Sequence, residues 1–176
     1  MKQHKGFTLV ELVAVLVLVG ILAAVAIPRL PIGSDFDDSL QARNLAGLLR
    51  LAQLRAMNDP EALQSGTDIN RCGVIAVTRA GVSVSNGCSS ATLLGKKELA
   101  ASHQDIWLGA ELSVSSNQNL PFTLQFGQFA NENFLSDNSY LGRPHINGNP
   151  LDSALIITLA GTSVTIEPEG YIYVAR

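Results

Sequence analysis

The sequence predicts an α+β fold: a long N-terminal helical spine, kinked or broken near Pro28 to Gly33, packed on an antiparallel β-sheet head. Three observations predict it. From Phe7 to Ile27, 21 residues are apolar apart from Thr8, Glu11 and Gly20. Within residues 34–58 the apolar side chains recur at helical spacing. Beyond residue 70, short runs of β-branched and aromatic residues are separated by Gly, Pro and Asn. The 176 residues suit one modest domain plus an N-terminal appendage.

The apolar run comes first. As a helix it would be about 31 Å long, close to the thickness of a bilayer's hydrocarbon core. Lys2 and Lys5 precede it, with no acid before Glu11. The positive-inside rule keeps that end in the cytoplasm and sends the bulk of the chain across the inner membrane. Two readings need nothing more: a plain membrane anchor, or a secretory signal peptide cut near Ala24-Val25-Ala26, which would start the mature chain at Ile27. Neither accounts for Glu11. A charge inside a membrane helix costs on the order of 2.5–3.5 kcal/mol, less near an end.

Pro28 and Pro31 each remove a backbone donor, and Gly33 follows. Ser34-x-x-Asp37 reads as a capping box and starts a second helix. Leu45, Leu48, Leu49, Ala52 and Ala56 share one face of it, with Arg43, Arg50 and Arg55 off that face or at its edge. The helix ends before Asn58-Asp59-Pro60. Whether the spine is continuous across the two prolines stays open.

After residue 70 the chain turns β-like. Gly73–Thr78 and Val82–Ser85 flank Arg79-Ala80-Gly81, a three-residue loop that suits a type I turn with a G1 bulge. Pairing Thr78 with Val82 sets 76 against 84, 74 against 86 and Cys72 against Cys88. The two cysteines also lie in an oxidising compartment on the topology above, so they are expected to pair. Further strands are expected at Asp105–Gly109, Leu112–Ser115, Phe122–Phe126, Leu155–Leu159, Ser163–Glu167 and Tyr171–Val174. The last three form a meander turning at Ala160-Gly161 and Pro168-Glu169-Gly170. Alternation in Ser163–Glu167 points to one buried and one wet face. Between Ala130 and Asp152 the sequence reads as a long loop.

Chemistry is sparse. No catalytic set is legible: His4, His103 and His145 lack a metal-ligand spacing, and no nucleophile elbow or phosphate loop occurs. Two cysteines without a nearby His make no zinc pattern. Asn131, Glu132, Asp137, Asn138 and Asp152 supply oxygen donors that could hold calcium, against the plainer reading of a solvated loop. No cofactor is expected. Trp107 reads as a core or sheet residue. Arg143-Pro144-His145 reads as exposed contact residues or as a structural loop. Ten of the twelve Lys/Arg and fourteen of the fifteen Asp/Glu lie from Arg29 onward, a net charge of about −4. That is no footprint of a nucleic-acid binder.

Lys2 and Lys5, Gly6-Phe7 and Glu11 together resemble the class III leader of type IV pilins and of type II secretion pseudopilins. That pattern is a short basic leader ending in Gly, an aromatic first mature residue, and Glu four residues after it. Pro28 also falls where these proteins usually carry a helix proline. The resemblance covers about the first thirty residues. It implies that prepilin peptidase cuts between Gly6 and Phe7 and that the new Phe7 terminus is N-methylated. It also implies that Glu11 pairs with the α-amino group of a neighbouring subunit and sets stagger in a filament; the plainer alternative is a Glu11 hydrated at the interface. Thr8 reads as assisting Glu11 or as merely tolerated near a helix end.

The resemblance divides the chain into a cleaved leader at 1–6, a transmembrane and filament-core helix at 7–27, an amphipathic helix at 34–58 and a β-rich head at 70–176. The protein would be a structural subunit and not an enzyme. It would sit in the inner membrane with its head in the periplasm, then in a pilus on the cell surface. Its partners would be prepilin peptidase, the membrane before assembly, the inner-membrane assembly platform and other pilin subunits. The leader, the Leu-Arg-Leu-Ala-Gln-Leu-Arg-Ala stretch at 49–56 and the paired Cys around a short hairpin are similar to a minor pilin of the mannose-sensitive haemagglutinin (MSHA) pilus. The same outline resembles the minor pseudopilin H of type II secretion. A DNA-uptake minor pilin would need a basic strip, which the acidic balance opposes.

Overall fold

The computed structural model describes residues 8–26, 34–95, 113–127, 141–159 and 161–175. The chain divides into two compact units, Met1–Phe36 and Asp37–Arg176. The expected kink at Pro28 to Gly33, and with it the continuity of the spine, lies outside the described residues. So does the expected strand Asp105–Gly109 with Trp107.

In the first unit, helix α1 spans Leu9–Ala26, 18 residues. Its large side chains are exposed all round, from Leu9 at 80% to Leu22 at 68%. A helix with no polar face is stable only inside another apolar environment. At 18 residues it is about 27 Å long, short of the roughly 30 Å hydrocarbon core. Among the described residues no helix is long and apolar enough to cross a membrane. Phe7 and Ile27, which complete the expected 21-residue span, lie outside them.

Helix α2 spans Ser34–Asn58, all but its first three residues in the second unit, and starts at the expected serine. Its buried face holds the five expected residues together with Ala42 and Ala46. The alanines matter for close approach. A Cβ on Gly73 would lie 3.3 Å from the Ala52 carbonyl oxygen, so chain and helix meet at backbone distance there. Asp59 follows the helix and caps a short 3-10 turn, Pro60–Leu63, by accepting from the Glu61 N–H.

Two antiparallel sheets complete the head. The first contains β1 (Val74–Thr78), β2 (Gly81–Val84), β4 (Phe122–Phe126), β5 (Pro144–Ile146) and β6 (Asn149–Pro150), in the order β2-β1-β4-β5-β6. The second contains β3 (Val114–Ser116), β7 (Leu155–Leu159), β8 (Thr162–Ile166) and β9 (Ile172–Ala175), in the order β3-β7-β8-β9. Leu45, Leu48 and Leu49 of α2 share one hydrophobic cluster with Phe122, Phe126, Ile75, Leu155, Ile157 and Ile166 from the two sheets. The expected meander is present as β7-β8-β9, with Leu159 facing Thr162 and Ile166 facing Ile172. Its wet face is partly covered: Thr165 is buried, standing between Ile156 and Tyr173 in the register.

Two expectations are corrected. The β1–β2 hairpin pairs Thr78 with Gly81 and Ile75 with Val84, one residue out from the expected register. Its loop is the two residues Arg79-Ala80. A one-residue slip normally exchanges the buried and wet faces. Here all of β2 and nearly all of β1 are buried, so no alternation marked the register. The second correction concerns the expected loop from Ala130 to Asp152. It contains the β5–β6 hairpin, which turns at Asn147 (φ 50) and Gly148 (φ 82). Positive φ at both central residues is what a two-residue type I′ turn requires, and Asn-Gly is its preferred sequence.

Candidate functional site

The start of α1 is built by two side chains. The Thr8 N–H and hydroxyl both donate to Glu11 Oε2, at 3.1 and 3.0 Å. The Glu11 N–H donates in return to Thr8 Oγ1 at 3.3 Å. This is a reciprocal capping box, with Thr8 as N-cap and Glu11 as the third helical residue. A carboxylate in the first turn also opposes the positive end of the helix dipole. Thr8 is therefore the cap of the helix and not a tolerated hydroxyl. The signal that finds it is Thr8-x-x-Glu11, the spacing recognised only at Ser34 from sequence. Glu11 keeps its charge satisfied locally, yet Oε1 takes no part in these bonds. Gly6 and Phe7, with Lys2 and Lys5, lie outside the described residues.

A second constellation ties α2 to the head. In the 49–56 stretch, Leu49, Ala52 and Ala56 enter the core, and the intervening polar residues reach sideways. Arg50 Nη2 donates to the Ile172 carbonyl at 2.9 Å. Gln53 Nε2 donates to the Gly142 and Gly170 carbonyls at 2.9 and 3.0 Å. Arg55 Nη1 donates to the Cys72 carbonyl at 3.2 Å. One amide thus links the helix to the chain entering β5 and to the β8–β9 turn, which belong to different sheets. Gly170 fits for two reasons. Its φ is +93, and a Cβ there would collide with the Gly142 carbonyl oxygen. Arg43, expected off the buried face, is exposed.

Cys72 and Cys88 are joined by a disulfide, with Cα atoms 5.6 Å apart. They are not opposed residues of a hairpin, because the observed register does not bring them face to face. After Ser85 the chain leaves the ladder, and Gly87 (φ 73) and Cys88 (φ 58) turn it in left-handed conformations. That turn carries Cys88 back to Cys72, and both are buried. Beside the bridge, Arg71 bonds Asp59 and Glu61 at 2.7 and 3.0 Å across the exposed loop that leads from α2 to β1.

The remaining candidates fare differently. Arg143 is exposed, but Pro144 and His145 are buried in β5, so the triplet is a strand entry and not an exposed contact. His145 Nδ1 lies 3.0 Å from the Arg143 carbonyl oxygen. His4 and His103 lie outside the described residues, as do Asn131, Glu132, Asp137 and Asn138 of the candidate calcium loop. Asp152 is described and exposed. Among the described residues no group of three His, Cys, Asp or Glu could hold a metal ion.

The family model for the prokaryotic N-terminal methylation motif matches residues 1–27. The match covers the leader and α1, where the capping box stands, and leaves the head outside it. It supports a type IV pilin-like or pseudopilin protein, a structural class and not an enzyme family. A leader of this class implies processing by prepilin peptidase and assembly with other pilins. No solved structure matches the chain.

Proposed function

We propose that this chain is a minor type IV pilin of the MSHA kind, cut between Gly6 and Phe7, N-methylated on Phe7 and assembled into, or priming, a surface-attachment filament. The observation that carries the reading is the methylation motif over residues 1–27, with a helix from Leu9 whose one charged residue is Glu11. The precursor would be held in the inner membrane by the segment 7–27, with the head in the periplasm, until the assembly platform extracts it. Cleavage exposes an α-amino cation one helical turn from Glu11. The carboxylate already accepts Thr8 through Oε2, which leaves Oε1 for the ammonium group of a neighbouring subunit. Ammonium–carboxylate attraction is strong at low dielectric, although desolvation offsets much of it.

Support for the MSHA assignment is the 49–56 stretch and the disulfide-closed hairpin. A minor pseudopilin of type II secretion shares that outline and is the alternative; MSHA-pilus genes beside this one would separate the two. The first test is N-terminal mass analysis of the mature protein. A methylated Phe7 is the expected terminus. An unmodified start at Ile27 would refute the pilin reading and establish signal-peptidase processing.

A further inference from the structure

The β8–β9 hairpin carries an aromatic pair, Tyr171 exposed and Tyr173 half-buried, that leader processing does not use. Tyr171 is 67% exposed, more than any other large apolar side chain described in the head. Its ring centroid lies 5.5 Å from that of Tyr173, with the planes tilted by 31°. The register says where both rings stand. Thr165 faces Tyr173, and Val164, Ile166 and Ile172 enter the core. Successive strand residues point to opposite faces, so the odd-numbered residues occupy the outer one.

Glu167 belongs to that outer set, and the Tyr173 hydroxyl donates to its Oε1 at 3.0 Å. This bond pushes the Tyr173 phenol above the ordinary tyrosine value. The phenol donates this bond and holds the carboxylate beside the two rings. Glu169 is exposed in the adjoining turn. From Leu151 onward the acids Asp152, Glu167 and Glu169 outnumber one base, Arg176, and exposed Arg143 follows Gly142, which packs against Gly170 of this turn. Among the described residues the ion pairs are those of Arg71, far from this hairpin in sequence. Arg50 approaches β9, but its guanidinium is bonded to the Ile172 carbonyl.

Two rings and a fixed carboxylate select a particular partner chemistry. The faces of aromatic rings attract cations. A guanidinium is flat, stacks on a tyrosine face and offers a fork of N–H donors to a carboxylate at the same time. An ammonium is a compact point charge that cannot stack. Tyrosine and arginine are also the side chains that most often dominate protein interfaces. We propose that Tyr171, Tyr173 and Glu167, with Glu169 at the rim, form a docking surface for an arginine-bearing segment of a partner protein.

The test uses the full-length protein in detergent micelles and three end-blocked, fluorophore-labelled peptides: hexaarginine, hexalysine and hexacitrulline. Binding is read by anisotropy at physiological salt. Hexaarginine should bind most tightly, and uncharged hexacitrulline should not saturate. Tyr171→Ala should weaken hexaarginine binding about fivefold, and Tyr171→Phe, which keeps the ring, should stay within about twofold of wild type. Glu167→Gln should also weaken it, and Asp152→Asn should leave it unchanged. Unaltered far-UV circular dichroism and melting of each variant confirm that the hairpin is intact. Equal binding of hexalysine and hexaarginine, wild-type affinity in Tyr171→Ala, or an equal loss in Asp152→Asn would each reduce the effect to diffuse negative charge and overturn the proposal.

Discussion

Replacing Gln53 with alanine tests whether one amide fastens α2 to both sheets. The Nε2 group donates to the Gly142 carbonyl at 2.9 Å and to the Gly170 carbonyl at 3.0 Å. Alanine removes the donor from both. Each hydrogen bond contributes about 1 kcal/mol net of exchange with water, so losing both should destabilise the variant by about 2 kcal/mol. At roughly 2–4 °C per kcal/mol for a unit of this size, the melting temperature should fall by about 4–8 °C. The assay is thermal unfolding of the full chain in micelles, followed by near-UV circular dichroism with the disulfide intact. Gln53→Glu sharpens the test: the side chain keeps its size but sets a carboxylate against two carbonyl oxygens. It should melt below the alanine variant. Gly170→Ala should lose at least about 2 kcal/mol, since it combines positive φ with a backbone collision. An alanine variant melting within about 1 °C of wild type, or a glutamate variant more stable than it, would refute the clamp.

The two roles of Glu11 can be separated. Thr8→Ala removes the capping hydroxyl, which costs about 1 kcal/mol, and should speed hydrogen exchange of the first-turn amides about fivefold. Glu11→Gln keeps a capping-box side chain while removing the charge. Leader cleavage should survive both changes. Incorporation into sheared filaments should survive Thr8→Ala and fail in Glu11→Gln, and normal assembly of the glutamine variant would rule out charge pairing. For the disulfide, a sequence separation of 16 corresponds to about 3 kcal/mol in the chain-entropy model. The β1–β2 hairpin already shortens that loop, so Cys72→Ser with Cys88→Ser should lose about 2 kcal/mol in urea unfolding. An unmoved midpoint would show that the turn at Gly87 and Cys88 closes without the bridge.

Some of this was legible from the residues and some could not be. The core face of α2 was, because Leu45, Leu48, Leu49, Ala52 and Ala56 repeat at 3.6-residue spacing, and that period has one geometric meaning. The β7-β8-β9 meander was legible because Gly161 and Gly170 punctuate it. The β1–β2 register was hidden by burial on both faces, which erases alternation. The β5–β6 hairpin was hidden by Pro144 and Pro150, which read as breakers in the middle of a run of Asn and Gly. Proline is tolerated at a sheet edge, and β6 is an edge strand. At the candidate site, Thr8-x-x-Glu11 was in plain view, but the apolar run around it drew attention to the membrane cost of Glu11 and away from local capping. The donors Arg50 and Gln53 had no readable destination, since their partners are carbonyls 89 to 122 residues away.

Those destinations have an evolutionary consequence. Arg50, Gln53 and Arg55 all end on peptide oxygens, and a peptide oxygen is the same group whatever residue carries it. The helix therefore recognises the path of the head's backbone and is indifferent to its spelling. Side chains on the outward side of Ile172 and its neighbours can be exchanged without loosening the grip, provided Gly142 and Gly170 keep the path open. The head's surface is free to diversify under selection, while Arg50, Gln53 and Arg55, which hold it in place, are not.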